Sequence, residues 1–297
     1  MNNKTNTFID FSRRAAMMLL LLCAVEQRTW AEDVITISSL EQLQAFMANV
    51  HNDNYMGKTV KLANDINCGG GRFNTGDPVN PSTFAGTFDG QGYKIYNFVN
   101  TPTGSGDYGY GTAMFDFAEN GATIKDLTLE GTLPGTYSGA YSAAFVLAVE
   151  SPLGLVLDNC HFKGSVTNNY CSAALVGFAS PGTGIEGVPS IILNNCSANA
   201  NITTTGEYTV GGLVAKGTNV QATDKCSFTG TISGKWTMGG LIGVAVNCTF
   251  TDCSFNGSMG EGPGTSTSTL SNGGCGGLVG YSDGSEFTRC TATVTIN

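Results

Sequence analysis

Apolar residues in this chain come in short bursts separated by Gly, Asn, Asp, Ser and Thr, and within a burst they alternate with polar positions. That period of two predicts short β-strands with one face buried. The bursts also repeat. One segment recurs six times: Ile124-Lys-Asp-Leu-Thr-Leu-Glu-Gly131, Leu157-Asp-Asn-Cys-His-Phe-Lys-Gly164, Leu193-Asn-Asn-Cys-Ser-Ala-Asn-Ala200, Thr223-Asp-Lys-Cys-Ser-Phe-Thr-Gly230, Phe250-Thr-Asp-Cys-Ser-Phe-Asn-Gly257 and Phe287-Thr-Arg-Cys-Thr-Ala-Thr-Val294. A second alternates with it: Ala173-Ala-Leu-Val-Gly177, Gly211-Gly-Leu-Val-Ala215, Gly239-Gly-Leu-Ile-Gly243 and Gly276-Gly-Leu-Val-Gly280, with degenerate forms at Ala113-Met-Phe115 and Ala144-Phe-Val146. The period runs from 27 to 38 residues.

Strands repeating at such a period without a helical pattern predict a solenoid of stacked β-coils, in which no coil buries its apolar face alone. The period varies because a corner of the coil admits an insertion without disturbing the stack. The longest insertion, residues 258–274, is rich in Gly, Ser and Thr and reads as an exposed loop. A helical pattern occurs once. Ser38 or Ser39 can cap it, Glu41 or Gln42 completes a capping box, and Leu40, Leu43, Phe46, Met47 and Val50 share one face. Such a helix is placed to cover the first coil. No comparable cap follows the last repeat, so the C-terminal edge is a candidate for pairing with another chain or an anchoring partner. The organisation expected is a signal peptide over 1–31, an N-terminal cap of strand plus helix over 32–62, and β-helix repeats over 63–297.

The N-terminus carries Lys4, Arg13 and Arg14 ahead of an apolar run of 11 residues, Ala15 to Val25. That is too short to span a bilayer, which takes about 20 residues, and it suits a secretory signal with cleavage after Thr29-Trp30-Ala31. Acylation of Cys23 is disfavoured by the bulky Leu22 before it. No later stretch reads as a transmembrane helix, so no membrane span is expected. Four basic and two acidic side chains leave with residues 1–31, so the mature chain holds 10 basic and 21 acidic residues, a net charge of −11. Ten dispersed cations cannot displace counterions from a phosphate backbone as nucleic-acid binders do, and acidic polysaccharides are disfavoured for the same reason. Only 12% of the 297 residues are charged and 41 are Gly, against about 25% and 7% in typical domains. This excludes coiled coils and helical bundles, while 41% hydrophobic residues exclude disorder.

The Gly-Gly-Leu-Val-Gly units, alternating with Asn-Cys-x-Phe-x-Gly-like segments, resemble the GLUG-motif proteins of bacterial surfaces. So do Phe84-Ala-Gly-Thr-Phe-Asp-Gly-Gln-Gly-Tyr-Lys-Ile95 and Gly57-Lys-Thr-Val-Lys-Leu-Ala-Asn-Asp-Ile66. The resemblance covers roughly residues 35–297 and implies an all-β, right-handed parallel β-helix. It implies no catalytic residues, because in larger secreted proteins, some peptidases among them, the motif lies outside the catalytic domain. Ala173, Ala174 and Ala215 depart from the pattern by replacing glycines.

Nine cysteines remain after residue 31, an odd number. Cys160, Cys196, Cys226, Cys253 and Cys290 share one column with Leu127, which favours buried thiols acting as small hydrophobes. Stacked strands lie about 4.8 Å apart, wider than the ~3.8 Å between Cβ atoms of a disulfide. A local pair of Cys248 and Cys253 stays open. No metal site or cofactor is expected, since only His51 and His161 are present and the cysteine spacing lacks a second pair. His161, next to an inward Cys160, is expected at the surface without a special role. The preceding column, Asp126, Asn159, Asn195, Lys225, Asp252 and Arg289, suits a corner, because Asn and Asp tolerate left-handed backbone. Asp126 and Asp252 fall four coils apart, about 20 Å at ~4.8 Å per coil, too far for a carboxylate pair. Asp158 and Asp224, placed two coils apart in the column before, are marginal for one. Asp89 reads as a turn residue.

Tyr110, Tyr141, Tyr170, Tyr208 and Trp236 stand three residues before the Gly/Ala pair of successive repeats, with Gly273 in the last. Alternation back from Leu213 puts them on the outer face. There they either stack on one another at a corner, or stack on sugar rings or enter a partner's apolar groove. The functional expectation is a secreted or cell-surface adhesion or recognition module for a glycan or a host or bacterial surface protein. A polysaccharide hydrolase or lyase with a lateral-groove site and a purely structural stalk are the alternatives, with no catalytic residue singled out.

Overall fold

The computed structural model describes residues 33–74, 80–101, 112–135, 141–179, 187–261 and 274–297. The signal-peptide segment and Tyr110 lie outside the described residues, as does most of the 258–274 insertion. Residues 34–297 form one compact unit. It is a parallel β-solenoid of three sheets, with 15, seven and three strands. The single helix among the described residues, Leu40–Val50, precedes the coils.

Each coil is written by the repeat. A strand such as Ile191–Asn194 runs into a corner at Asn195, then a second strand, Ser197–Thr204, continues in the same long sheet. The chain then turns through a short strand, Val210–Gly211, into Val214–Thr218 of the seven-stranded sheet. Neighbouring coils pair in parallel, and like residues stack. Phe162, Ala198, Phe228, Phe255 and Ala292 form one inward column, with the rings of Phe228 and Phe255 stacked 5.8 Å apart. The period of two in the sequence survives as alternating burial along Ser197–Thr204.

The helix begins where the capping pattern placed it. Ser39 is the N-cap, its Oγ accepting from the Gln42 amide at 3.3 Å, while Gln42 Oε1 accepts from the Ser38 amide at 2.7 Å. Leu43, Phe46, Met47 and Val50 are buried. The Phe46 ring lies 5.8 to 6.3 Å from those of Phe84, Phe88 and Phe115, so the helix seals the interior of the first coils as expected. In the last coil, Leu278, Val279, Phe287, Cys290 and Val294 are only partly buried.

Candidate functional site

Three columns carry the polar and aromatic chemistry of the coils. The corner column is the most regular. Asp126, Asn159, Asn195, Lys225, Asp252 and Arg289 all have positive φ, between 47° and 67°. That conformation strains a side chain with a Cβ. Asn159 Nδ2 donates to Asp126 Oδ1 at 2.8 Å, and Asn195 Nδ2 donates to Asn159 Oδ1 at 2.9 Å. Arg289 closes the far end with two bonds to the Asp252 carboxylate, at 2.6 and 2.7 Å. The corner is therefore a hydrogen-bonded ladder, and the register keeps Asp126 and Asp252 four coils apart.

One expectation in this region is corrected. Asp158 pairs with Asn194, and Asn194 with Thr223, so Asp224 is not in the column of Asp158. Asp224 is an extra corner residue with φ 56°, beside Lys225 at 67°. The thiol chemistry reports the same insertion. Cys196, Cys253 and Cys290 each donate to the carbonyl two residues back, whereas Cys226 donates to Thr223, three back. The two carboxylates cannot act as a pair.

Inside the corner stand the thiols. No disulfide joins the nine cysteines among the described residues. Cys160, Cys196, Cys226, Cys253 and Cys290 each also donate to a carbonyl of the coil before, at 3.3 to 3.6 Å. Burial, with the neighbouring thiols, pushes the Cys196 thiol well up. Cys253 is raised by its bond to Cys226 and by burial. Among the described residues no group of three or more His, Cys, Asp or Glu is placed to hold a metal ion. Asp89 sits in the turn as expected. Burial opposes its ionisation, but the Gln91 amide at 3.0 Å and Lys125 at 3.1 Å hold its carboxyl below the usual range.

His161 departs from the expectation of an idle surface residue. Its Nδ1 lies 2.8 Å from Ser197 Oγ and its Nε2 3.1 Å from Asn159 Oδ1. Burial lowers its pKa, with a small opposing contribution from Cys226. The alternation of strand Leu155–Asn168 gave its outward direction. Asn159 lies two residues back in that strand, whereas Ser197 came only from register, which sets it opposite His161 in the next coil.

The aromatic column lies on the outer face. Tyr141 and Tyr170 meet edge to face at 5.3 Å, and Tyr170 and Tyr208 lie 4.2 Å apart. All three pack over Cys171, Ala173 and Ala215, a small apolar cluster separate from the main core. Two of the alanines that depart from the glycine pattern thus form the floor under the tyrosines. Tyr141 is offset by one position, because Ser142 pairs with Ser172, but its ring reaches Tyr170 and also stacks on Phe178 at 5.1 Å. Trp236 keeps 38% of its surface exposed.

The sequence reading missed a neighbouring column. Phe117, Ala148, Phe178, Lys216, Val244 and Tyr281 stack along the seven-stranded sheet, outside the main core. Tyr281 is 52% exposed. The missed signal was two consecutive outward residues after each Leu-Val or Leu-Ile, which a strict period of two does not anticipate.

Comparison with curated proteins finds no match to this sequence. Among solved structures, the chain is similar to a protein from Bacteroides ovatus titled a "putative immunoglobulin A1 protease". The TM-score is 0.66 and identity 15%, over 88% of this chain and 77% of that one. At that identity the likeness shows the fold, a parallel β-solenoid. The family model of the GLUG motif matches residues 271–297, the last of the Gly-Gly-Leu-Val-Gly copies that build the seven-stranded sheet, and the chain is thereby a parallel β-solenoid carrying the GLUG motif.

Proposed function

We propose that this chain is a secreted or cell-surface recognition module that holds a glycan, or an apolar groove of a surface protein, along its aromatic outer face. One observation carries the reading: the stack of Tyr141, Tyr170, Tyr208 and Phe178 shares the outer side of the coils with the exposed Trp236 and Tyr281. A contiguous apolar patch outside a sheet is a feature that interaction surfaces share. Aromatic faces stack well on the C–H faces of sugar rings and on apolar side chains. The low positive charge of the mature chain suits a neutral partner. The signal-like N-terminus supports an extracellular site of action.

The stacking among the tyrosines also supports a purely structural reading, in which they shield the corner. Tyr208→Ala and Trp236→Ala, screened on a glycan array and in thermal melts, separate the two. Lost binding with little change in melting temperature supports recognition. A lower melting temperature with every bound glycan retained sinks it.

A further inference from the structure

We propose that Ser197, His161 and Asn159 form a nucleophile, base and orienting group for hydrolysis of small acyl esters, in a groove on the outer face of the long sheet. This is independent of the aromatic face. The hydrogen-bond network fixes the protons. Asn159 Nδ2 donates to Asp126 Oδ1 at 2.8 Å, so Asn159 Oδ1 is the acceptor at its other end. That oxygen receives Asn195 Nδ2 at 2.9 Å and faces His161 Nε2 at 3.1 Å. Nε2 must therefore carry the ring proton, leaving Nδ1 as a bare acceptor. Ser197 Oγ lies 2.8 Å from Nδ1 and donates its proton there. A hydroxyl bonded to an imidazole whose other nitrogen is held by an amide oxygen is the arrangement that activates a nucleophile. Burial favours the neutral base that this role needs.

The position is open to a substrate. A groove of about 400 Å³ is lined by His161, Ser197, Thr128, Lys163, Asn199, Ser227 and Glu130 among others, the Glu130 carboxylate being in register with Lys163 and 3.4 Å from the Lys94 ammonium. Lys163 and Asn199 pair with each other, two residues beyond His161 and Ser197 on the same face. They are the side-chain donors that this face offers a developing oxyanion, because the backbone amides here are engaged between strands. Two exposed side chains stabilise that charge less well than fixed backbone amides, so an ester, with its better leaving group, is the substrate rather than an amide. Phe162 and Ala198 are buried beneath the groove, which leaves no apolar pocket for a long acyl chain. The hydroxyls and amide around it suit a polyhydroxylated alcohol.

In the reaction Ser197 Oγ attacks the acyl carbon, and its proton passes to His161 Nδ1. The tetrahedral adduct expels the alcohol, whose oxygen takes that proton. Water then attacks the acyl-serine, gives a proton to Nδ1, and releases the carboxylic acid as Ser197 recovers its hydrogen. Ester and water give acid and alcohol, with no other reactant.

The test uses the mature chain with a fluorophosphonate probe, 4-nitrophenyl acetate and 4-nitrophenyl octanoate. The expected result is covalent labelling that maps to Ser197, turnover of the acetate over the octanoate, and a rate that rises with pH through an imidazole pKa below the ordinary ~6.5. Ser197→Ala and His161→Gln should lower kcat/KM at least ~100-fold, and Thr293→Ala, exposed in the last strand and away from the groove, should leave it unchanged. A folded wild-type chain that fails to label at Ser197, or a Ser197→Ala variant that keeps the rate, overturns the proposal. The labelling result stands without any variant, so loss of folding in one of them does not blur the outcome.

Discussion

Asn159→Ala measures what the corner ladder contributes. The residue has φ 52°, and its amide takes part in three contacts: with Asp126 at 2.8 Å, Asn195 at 2.9 Å and His161 at 3.1 Å. Each intramolecular hydrogen bond contributes about 0.5–1.5 kcal/mol net. Partial exposure of this corner argues for the low end, so the three together come to about 2 kcal/mol. Alanine also keeps a Cβ in left-handed backbone, a cost of about 1 kcal/mol or more that asparagine partly avoids through local hydrogen bonding. The expected loss for Asn159→Ala is about 3 kcal/mol on these terms. Asn159→Gly loses the same three contacts but relieves the backbone, so it should cost about 2 kcal/mol, raised slightly by the greater entropy of its unfolded chain. Urea unfolding, followed by circular dichroism, gives both differences from the shift in midpoint at constant slope. If Asn159→Gly is as stable as wild type, the ladder contributes nothing. If Ala and Gly are equal, the left-handed strain argument fails.

The remaining predictions use other columns. Lys225→Gly should stabilise by roughly 0.5–1 kcal/mol, because φ 67° strains lysine but not glycine; a lower urea midpoint would refute this. Phe228→Ala should cost about 3–5 kcal/mol as a large interior ring is lost, and a cost below ~1 kcal/mol in the same assay would show that the stack closes around the gap. Asp89 is held ionised below the usual range, so its contribution is complete above the unfolded pKa of about 3.9 and fades as pH falls through the lower folded value. Asp89→Asn should therefore flatten the acid side of a plot of stability against pH. In native protein without reductant, a maleimide should modify Cys275 and Cys290 ahead of the seven buried cysteines, and mass mapping of the adducts checks the order.

How much was legible depended on whether a residue's role is local. The Cys and corner columns could be read because every coil repeats them. The left-handed backbone at Asp126, Asn159, Asn195 and Asp252 follows from residue types that tolerate it. At Lys225 and Arg289 residue type argues the other way, and only their place in the column reveals the corner. Alignment on Cys226 concealed the added Asp224, because a one-residue insertion at a corner leaves the flanking strands in phase. The tyrosine column was legible in direction, while its contact with Phe178 joins residues from adjacent coils that no local pattern links.

By itself the sequence determined the fold class, the capping helix, the buried thiol column and the outer placement of the aromatics. Each of these depends on periodicity along one strand or helix, which the chain carries locally. Only the tertiary structure decided which outward residues meet. Asn159 and His161 share the strand Leu155–Asn168, but Ser197 comes from the next coil, and its 2.8 Å contact with His161 exists because parallel stacking sets coil against coil in one register. A shift of one residue would turn each of these side chains to the opposite face, so the candidate chemistry is a property of the register and not of any single repeat.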